Sequence, residues 1–203
     1  MSKSSQTTPP SGSPAPLPPR GYEVKASALR AYMTQIEKLG VLDGVMAKVH
    51  PDTRLTMQTP PLPSAWIDAM WIEDMISALE SLRGLDAVRT VTKAGHGAVG
   101  LPILKPIVTG LMRLFGGTPN TLFSRWAEIT KTALRGVKFQ WALDNPKSGR
   151  LTIIFPRKHT PRNAFIGMES GCWMILDLCG VKGTVSATEI SDEGTTGTIS
   201  IKW

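Results

Sequence analysis

Residues 135–203 are predicted to form strand, turn, strand, helix, strand, turn and strand, and no other part of the sequence constrains the fold as strongly. In residues 137–143, apolar side chains occupy every second position, which is typical of an antiparallel strand with one buried face. Residues 151–155 are β-branched, leucine or aromatic, and Pro156 would end a strand there. Residues 144–149 contain proline and glycine where a turn needs them, so the sequence predicts a first hairpin.

A second hairpin of the same kind is predicted over residues 184–203, with its turn at residues 191–194. Between the hairpins, the apolar residues of segment 163–179 have helical spacing. Thr160 is predicted to cap this helix, with Pro161 at its first position. Five residues lie on one apolar stripe of the helix: Phe165, Met168, Cys172, Ile175 and Cys179.

The simplest interpretation of the 163–179 helix is that it forms the core of an α+β domain. Gly167 and Gly171, about one turn apart, would let this helix lie close to a sheet. The alternative is that its apolar stripe also lines a ligand pocket. The ligand-binding candidates for that pocket are Phe165, Met168, Cys172 and, from the preceding part of the chain, Trp126.

Residues 21–134 are predicted to be mainly helical, because apolar residues recur at helical spacing between glycine and proline breakers. The predicted helices cover residues 26–39, 41–49, 65–82 (capped by Ser64), 85–93, 106–115 and 118–135. Residues 1–20 contain six prolines and too little apolar surface for a core, so a disordered Pro/Ser-rich tail is expected. Residues 21–203 are therefore predicted to form one α+β domain. Its helical N-terminal half packs on a C-terminal four-stranded antiparallel sheet that is crossed by a helix, a ββαββ module over residues 135–203.

The composition suggests a protein of the cytoplasm. No segment approaches the roughly 18 consecutive apolar residues that a membrane-spanning helix needs. The first residues lack the apolar segment of a secretory signal. Cys172 and Cys179 are therefore expected as reduced thiols and not as part of a disulfide framework.

The net charge of +7 is concentrated in residues 101–160, which hold ten basic and two acidic residues. Such a block could attract phosphates or acidic proteins. The simpler interpretation is a solvated surface, because the bases are scattered and do not alternate with aromatic residues as in known nucleic-acid modules. The candidates for binding an anion or an acidic partner are Lys105, Arg113, Arg125, Lys131, Arg157 and Lys158.

Three segments, residues 91–100, 118–126 and 165–173, together with the terminal Trp203, resemble a myxobacterial paralogous family of unknown function. That family is in turn similar to the haem-nitric-oxide-binding and 4-vinyl-reductase-like sensor domains. The resemblance extends over residues 21–203. It implies a helical N-terminal half and a C-terminal antiparallel sheet crossed by a helix, in agreement with the order predicted from the residues.

The haem function of those relatives is not expected here. The haem-binding relatives hold the propionates with a Tyr-x-Ser-x-Arg motif, and the matching places in this chain are Ile154, Pro156 and Lys158, of which only the last keeps a positive charge. They also supply an axial histidine from the helix before the sheet, whereas residues 120–135 contain no histidine. We therefore expect no haem and no other cofactor.

Glycines at 95, 97 and 100 formally match the G-x-G-x-x-G fingerprint of dinucleotide sites. Such a site needs a strand before the glycines, whereas this segment follows a predicted helix. Residues 94–100 are therefore interpreted as a flexible joint between helices.

The histidines and cysteines do not form a predicted metal site. His50, His96 and His159 are far apart in the sequence, and each is interpreted as a loop or capping residue. Cys172 and Cys179 are too widely spaced for a C-x-x-C pair. Further donors at the spacing of a zinc site are missing.

The sequence also predicts no catalytic residue. Ser170 lies inside a predicted helix and lacks the G-x-S-x-G pattern of a nucleophile elbow. The acidic residues of the predicted 65–82 helix have the spacing of its solvated side; they are Asp68, Glu73, Asp74 and Glu80.

The sequence therefore favours a domain that binds a partner without catalysing a reaction. One hypothesis is a sensor-like or regulatory domain that holds a small apolar ligand, or another copy of itself, between the helical half and the ββαββ module. The alternative is an interaction module whose basic block binds an acidic protein or, with less support, nucleic acid. A sensor should contain an internal apolar cavity, whereas a nucleic-acid binder should lose affinity steeply with salt.

Overall fold

The computed structural model describes residues 15–158 and 160–203, and for residues 99–104 it describes the backbone alone. Most of the predicted tail, residues 1–14, and His159 lie outside the described residues. Residues 15–20 have no regular secondary structure and are mostly exposed.

The C-terminal part of the chain forms one four-stranded antiparallel sheet, as predicted. Its strands are β4 (Lys138–Asn145), β5 (Ser148–Ile154), β6 (Thr184–Ile190) and β7 (Thr196–Lys202). They lie in the order β4-β5-β7-β6, so the two hairpins meet through β5 and β7. The predicted α+β class and the ββαββ order are confirmed.

The two central strands carry the apolar face of the sheet. Leu151 and Ile153 of β5 pair beside Ile199 and Gly197 of β7, and all four are buried. The first turn is shorter than predicted, because β4 extends to Asn145 and β5 begins at Ser148.

The helix between the hairpins, α7 (Arg162–Leu178), lies against this sheet. It begins at Arg162, one residue after Pro161, the predicted first position. The prediction that Thr160 caps it is wrong. The Thr160 hydroxyl donates to the carbonyl of Arg157, its amide donates to the carbonyl of Gly194, and Thr160 stands one residue before the cap position of α7. Pro161 occupies the cap position with extended backbone.

The close approach of α7 to the sheet depends on a glycine of the strand and not on the helix glycines. A β-carbon at Gly197 would collide with the ring of Phe165. Gly167 and Gly171 were predicted to face the sheet, and this is wrong. A β-carbon at Gly171 would lie 2.9 Å from the Trp126 indole, and one at Gly167 would have only Thr92 within reach, at 3.9 Å. Both glycines therefore face the helical half.

The helical half contains more elements than predicted. The elements before the four-stranded sheet are β1 (Glu23–Lys25), α1 (Ala26–Lys38), α2 (Leu42–Lys48), α3 (Pro51–Gln58), β2 (Trp66–Asp68), α4 (Met70–Phe115), α5 (Pro119–Phe123), α6 (Trp126–Thr130) and β3 (Leu134–Arg135). A small antiparallel sheet in the order β2-β1-β3 joins the start of the half to its end. Neither this sheet nor α3 was predicted.

Two of the predicted helix boundaries are wrong for physical reasons. The helix predicted to begin at residue 65 begins at Met70, because residues 66–68 pair with β1 as β2. The flexible joint predicted at residues 94–100 is helical and lies within α4. Gly95 there serves close packing, since a β-carbon on it would collide with the ring of Tyr32 on α1.

The long helix α4 bends once. Gly84 has φ 75° and ψ 179°, a conformation that interrupts the helix and that L-residues with a side chain rarely adopt. The predicted end of a helix at this glycine is therefore found as a kink. No helix in the described part of the chain is long and apolar enough to cross a bilayer.

Two hydrophobic clusters form the core, and α7 contributes to both. Phe165, Cys172 and Ile175 belong to the cluster that lies on the sheet, with Leu151 and Ile199 among its members. Ile166, the neighbour of Phe165, belongs to the cluster between α1 and α4. α7 is therefore buried on two sides, between the sheet and the helical half.

We expect Gly197→Ala to lower the free energy of unfolding by about 1–3 kcal/mol, because its methyl group must displace the buried ring of Phe165. Urea denaturation measures this loss. Thr198→Ala, at the adjacent half-buried position of β7, is the matched control and should cost about 1 kcal/mol or less. A Gly197→Ala variant as stable as the unchanged protein would contradict this packing.

Candidate ligand cavity

A cavity lies between the helical half and the side of α7 that faces away from the sheet. Its volume is about 160 Å³. α7 contributes Ala164, Gly167 and Gly171 to its wall, and these residues have little or no side chain. Across from them, α4 contributes Ile72 and Ile76. The cavity exists because small residues face the helical half where larger side chains would fill the space.

Two of the four predicted ligand-binding residues line this cavity. Trp126 at the start of α6 and Met168 on α7 are among its wall residues. Phe165 and Cys172 do not line it, because they point into the core on the sheet side. The Phe165 ring meets Phe155 edge-on at 4.9 Å, and burial raises the pKa of the Cys172 thiol well above its ordinary value. The space beneath Phe165 and Cys172 is filled, and the open space lies around Met168.

A buried carboxylate forms part of the cavity wall, where the sequence predicted a solvated one. Glu73 is 4% exposed. Its Oε1 accepts a hydrogen bond of 2.6 Å from the hydroxyl of Tyr22, and its Oε2 forms an ion pair with the guanidinium of Arg20. Burial raises the pKa of Glu73, although the hydrogen bond from Tyr22 and the charge of Arg20 oppose this rise. Burial and the nearby carboxylate also raise the pKa of the Tyr22 phenol.

The other acids assigned to the solvated side of a helix also have specific partners. Asp68 accepts from the backbone amide of Arg20 through both oxygens, at 3.1 and 3.0 Å. Asp74 accepts from the amide of His50 at 2.9 Å, and Glu80 accepts from Asn163 at 3.1 Å. Through Asp74 and Glu80, the start of α3 and α7 are held against α4, whereas Asp68 lies on β2 and holds the start of the described chain there. The prediction of a solvated row is therefore wrong.

The histidines have different environments. The prediction for His50 is confirmed, since its ring accepts from the amide of Asp52 at the start of α3. The prediction for His96 is wrong, because this residue lies inside α4 and lines the cavity. Its Nδ1 is 2.9 Å from the carbonyl of Thr92 and 3.1 Å from the hydroxyl of Tyr32. Burial lowers the pKa of His96, which favours the neutral ring.

Apart from Oε2 of Glu73, which forms the ion pair with Arg20, two buried polar atoms of the wall residues have no hydrogen-bond partner within the described residues. They are the indole Nε1 of Trp126 and the side-chain oxygen of Asn163, on residues that are 4% and 3% exposed. The amide nitrogen of Asn163 faces the Glu80 carboxylate, which fixes the orientation of the amide group. No sequence pattern could have revealed these atoms, because partners depend on the folded structure.

The six basic candidates are dispersed over several elements. Lys105 and Arg113 lie exposed on the last part of α4, and Lys131 lies exposed after α6. The other three have partners within the chain. Arg125 is 3.4 Å from Glu128 and lies over the Phe115 ring, Lys158 is 2.9 Å from Glu193, and Arg157 donates to the carbonyl of Pro19. Their binding to an anion or acidic partner remains a prediction.

Metal-ligating side chains do not gather anywhere in residues 15–158 and 160–203. No group of three or more His, Cys, Asp or Glu side chains in this part of the chain is arranged to hold a metal ion. Cys179 is half-buried, and burial raises the pKa of its thiol to about 11, which disfavours the thiolate that binds metals.

The fold is similar to that of solved H-NOX domains. An Fe(II) unliganded H-NOX protein from K. algicida has a TM-score of 0.65 and 10% sequence identity, and the match covers 88% of this chain and 95% of that chain. An oxygen-binding H-NOX domain related to soluble guanylate cyclases has a TM-score of 0.56 at 10% identity, with 88% and 94% covered. The sequence matches no protein-family model and no curated protein. At these identities the likeness establishes the fold.

The buried carboxylate should give the stability a distinctive pH dependence. The pKa of Glu73 is higher in the folded chain than its unfolded value of about 4.3, so folding favours the protonated form. The protein therefore loses stability as the pH rises from the unfolded-state pKa through the folded-state pKa. Glu73→Gln removes this titration. We expect the free energy of unfolding of the unchanged protein, minus that of the variant, to fall between pH 4 and pH 8.

Urea denaturation across that range measures the difference, with about 1.4 kcal/mol for each unit of pKa shift. Asp74→Asn is the matched control, since Asp74 accepts a single amide and lies half-buried. A difference that grows with pH would contradict the account, because it would mean that the ion pair with Arg20 outweighs burial.

Proposed function

We propose that this protein is a non-enzymatic, sensor-like binding domain that holds a small, largely apolar ligand in the cavity between α4, α6 and α7. The cavity itself is the observation that carries the proposal. An engineered apolar cavity of about 150 Å³ in another protein binds benzene or xenon, so a space of about 160 Å³ can hold a molecule the size of one ring. Most of its wall is apolar, including Ile72, Ile76, Ile129 and Met168.

The likeness to H-NOX domains supports this proposal at the level of the fold. One of those neighbours is described as oxygen-binding, and small-molecule binding is therefore one use of this architecture. Membership of the myxobacterial paralogous family, a cytoplasmic location and self-association are further proposals that rest on the sequence.

The residues of this chain do not suit haem, the group named for other neighbours with this fold. The three places that match the propionate motif hold Ile154, Pro156 and Lys158, and the lysine is paired with Glu193. Among the described residues, His96 is the one imidazole in the wall, and it lies on α4 instead of segment 120–135.

A binding role without catalysis agrees with the state of the nucleophiles near α7. The Ser170 hydroxyl donates to the hydroxyl of Thr92 at 2.9 Å inside the core. Burial raises the pKa of Cys172, so its nucleophilic thiolate is disfavoured at neutral pH. Neither side chain belongs to the cavity wall.

A ligand in this cavity would touch both parts of the domain at once. It would contact Gly167 and Gly171 of α7, whose other side packs on the sheet, and it would contact α4 and α6 of the helical half. Occupancy would thereby favour one packing of the helical half against α7 over others, which is how a ligand shifts a conformational population.

The alternative of a basic interaction module has weaker support. Arg125, Arg157 and Lys158 already contact Glu128, Pro19 and Glu193 of the same chain. Three of the six basic side chains are therefore already engaged in contacts within the chain.

Filling the cavity should abolish ligand binding. Gly167 has open space around an added β-carbon, so Gly167→Leu can place its side chain in the cavity without a backbone collision. We expect native mass spectrometry of the protein, purified from its own host, to detect a bound small molecule, and to find it reduced at least about tenfold in the variant.

Gly167→Ala and Gly110→Leu are the controls. The first adds one methyl group at the same place, and the second adds a leucine to α4 at a glycine with nothing within 4 Å that lies outside the cavity wall. Both should keep the ligand. A Gly167→Leu protein that keeps the molecule in full, or an unchanged protein that carries none and binds no small apolar probe, would contradict the proposed function.

A further inference from the structure

The end of α4 exposes two adjacent large apolar side chains. Leu114 is 76% exposed and Phe115 is 50% exposed, and neither belongs to one of the two hydrophobic clusters. They lie within a run of six exposed residues, 113–118, which we call the α4 tip. Single exposed apolar residues are common on protein surfaces, whereas contiguous ones mark a contact with another surface.

The chain is anchored in the core on both sides of the α4 tip. Val108, five residues before it, is fully buried, and Pro119 and Leu122 after it are buried as well. The guanidinium of Arg125 lies 3.8 Å from the centre of the Phe115 ring and covers one of its faces. The exposure of the apolar pair therefore follows from how the chain packs before and after the tip.

The charge around the α4 tip is positive. Residues 87–127 contain five basic residues and no aspartate or glutamate. Arg113 is exposed and directly precedes Leu114, and Arg125 contacts Phe115. Glu128, the next acid along the chain, lies 3.4 Å from Arg125. A negatively charged surface that approaches the tip therefore meets two guanidinium groups beside the apolar pair.

We infer that the α4 tip binds the surface of an anionic lipid bilayer. Leu114 and Phe115 enter the boundary between the headgroups and the acyl chains, and Arg113 faces the negatively charged headgroups. Leucine and phenylalanine next to basic residues are the combination with which helices bind at this boundary. The site is separate from the ligand cavity, because no residue of the tip belongs to the cavity wall.

Two other negatively charged partners fit the α4 tip less well. Nucleic acid offers phosphates to the arginines, but its backbone gives Leu114 and Phe115 no apolar surface to enter. A protein interface uses about 20–30 residues on each side, whereas the tip has six. A bilayer requires no matching shape, and it accepts both the apolar and the basic side chains.

Co-sedimentation of the full chain with vesicles tests the inference. The vesicles consist of phosphatidylcholine alone or of an equal mixture of phosphatidylcholine and phosphatidylserine. We expect the protein to bind the mixed vesicles more tightly than the phosphatidylcholine vesicles. The double variant Leu114→Gln, Phe115→Gln should bind the mixed vesicles at least about tenfold more weakly, because its tip has no large apolar side chain to remove from water.

The double variant Leu55→Gln, Leu62→Gln is the matched control. It removes two other apolar side chains that are 65% and 74% exposed, on α3 and in the segment after it. This control should bind the mixed vesicles like the unchanged protein.

A second pair of variants tests the charge. Arg113→Gln should weaken binding to the mixed vesicles about fivefold, which corresponds to the loss of one base near an anionic membrane. Arg83→Gln removes the same charge from an exposed position of α4 before the bend at Gly84, and it should have little effect.

Nuclear magnetic resonance of the unchanged protein with lipid nanodiscs of the mixed composition provides a readout that needs no variant. The amide signals of residues 113–118 should broaden most, and those of Leu55 and Leu62 least. Absence of binding to the mixed vesicles would overturn the inference. So would equally tight binding by the Leu114→Gln, Phe115→Gln variant, because charge alone would then drive the contact, as with a nucleic acid. Both results leave the proposed ligand cavity unaffected.

Discussion

α7 is buried on two of its sides, and this burial determines how the sheet and the helical half pack together. On one side, Phe165 fits over Gly197 and joins the cluster on the sheet. On another side, Ile166, the next residue along the helix, joins the cluster between α1 and α4. A helix held in this way fixes the distance between the sheet and the helical half. The cavity beside Gly167 and Gly171 lies on the side of α7 that faces the helical half.

The start of the described chain is held to the same region by buried charge. Arg20, Tyr22 and Glu73 connect the segment before β1 to α4 at the edge of the cavity. Burying a carboxylate is unfavourable, and a hydrogen bond and an ion pair only partly compensate for it, so the pKa of Glu73 stays raised. This cluster orients a segment that a purely apolar contact would leave free to slide, and it supplies the cavity with a negative group that is already neutralised.

Much of the fold follows from the sequence, because strands and helices have different apolar periods. The period-two pattern identified both hairpins, and the bounds of β6 agree with the prediction at each end. The prediction of a flexible joint at residues 94–100 was wrong because glycine usually interrupts a helix. Here Gly95 lies inside α4, and its missing side chain makes room for the ring of Tyr32. The helix predicted from residue 65 failed in its first turn because pairing with β1, a contact distant in sequence, converts residues 66–68 to a strand.

The site was harder to predict than the fold for a related reason. The apolar stripe of α7 with Phe165 and Cys172 is strong in the sequence because it is filled core, and the sheet covers it. The open side is marked by glycine and alanine, which carry little hydrophobic signal. Met168 and Trp126 line the cavity, but nothing in the sequence separates them from the core residues around them. Glu73 was assigned to solvent because spacing along a helix cannot show that Tyr22 and Arg20 lie over it.

A crystal structure of the protein under xenon pressure would show whether α7 leaves an apolar space on its helical side. Xenon enters apolar cavities of this size and scatters strongly. We expect a xenon atom between Met168, Gly171 and Ile129, and none on the sheet side of α7 at Phe165. A structure in which the Met168 side chain fills that space, with no xenon bound there, would contradict an open cavity beside α7.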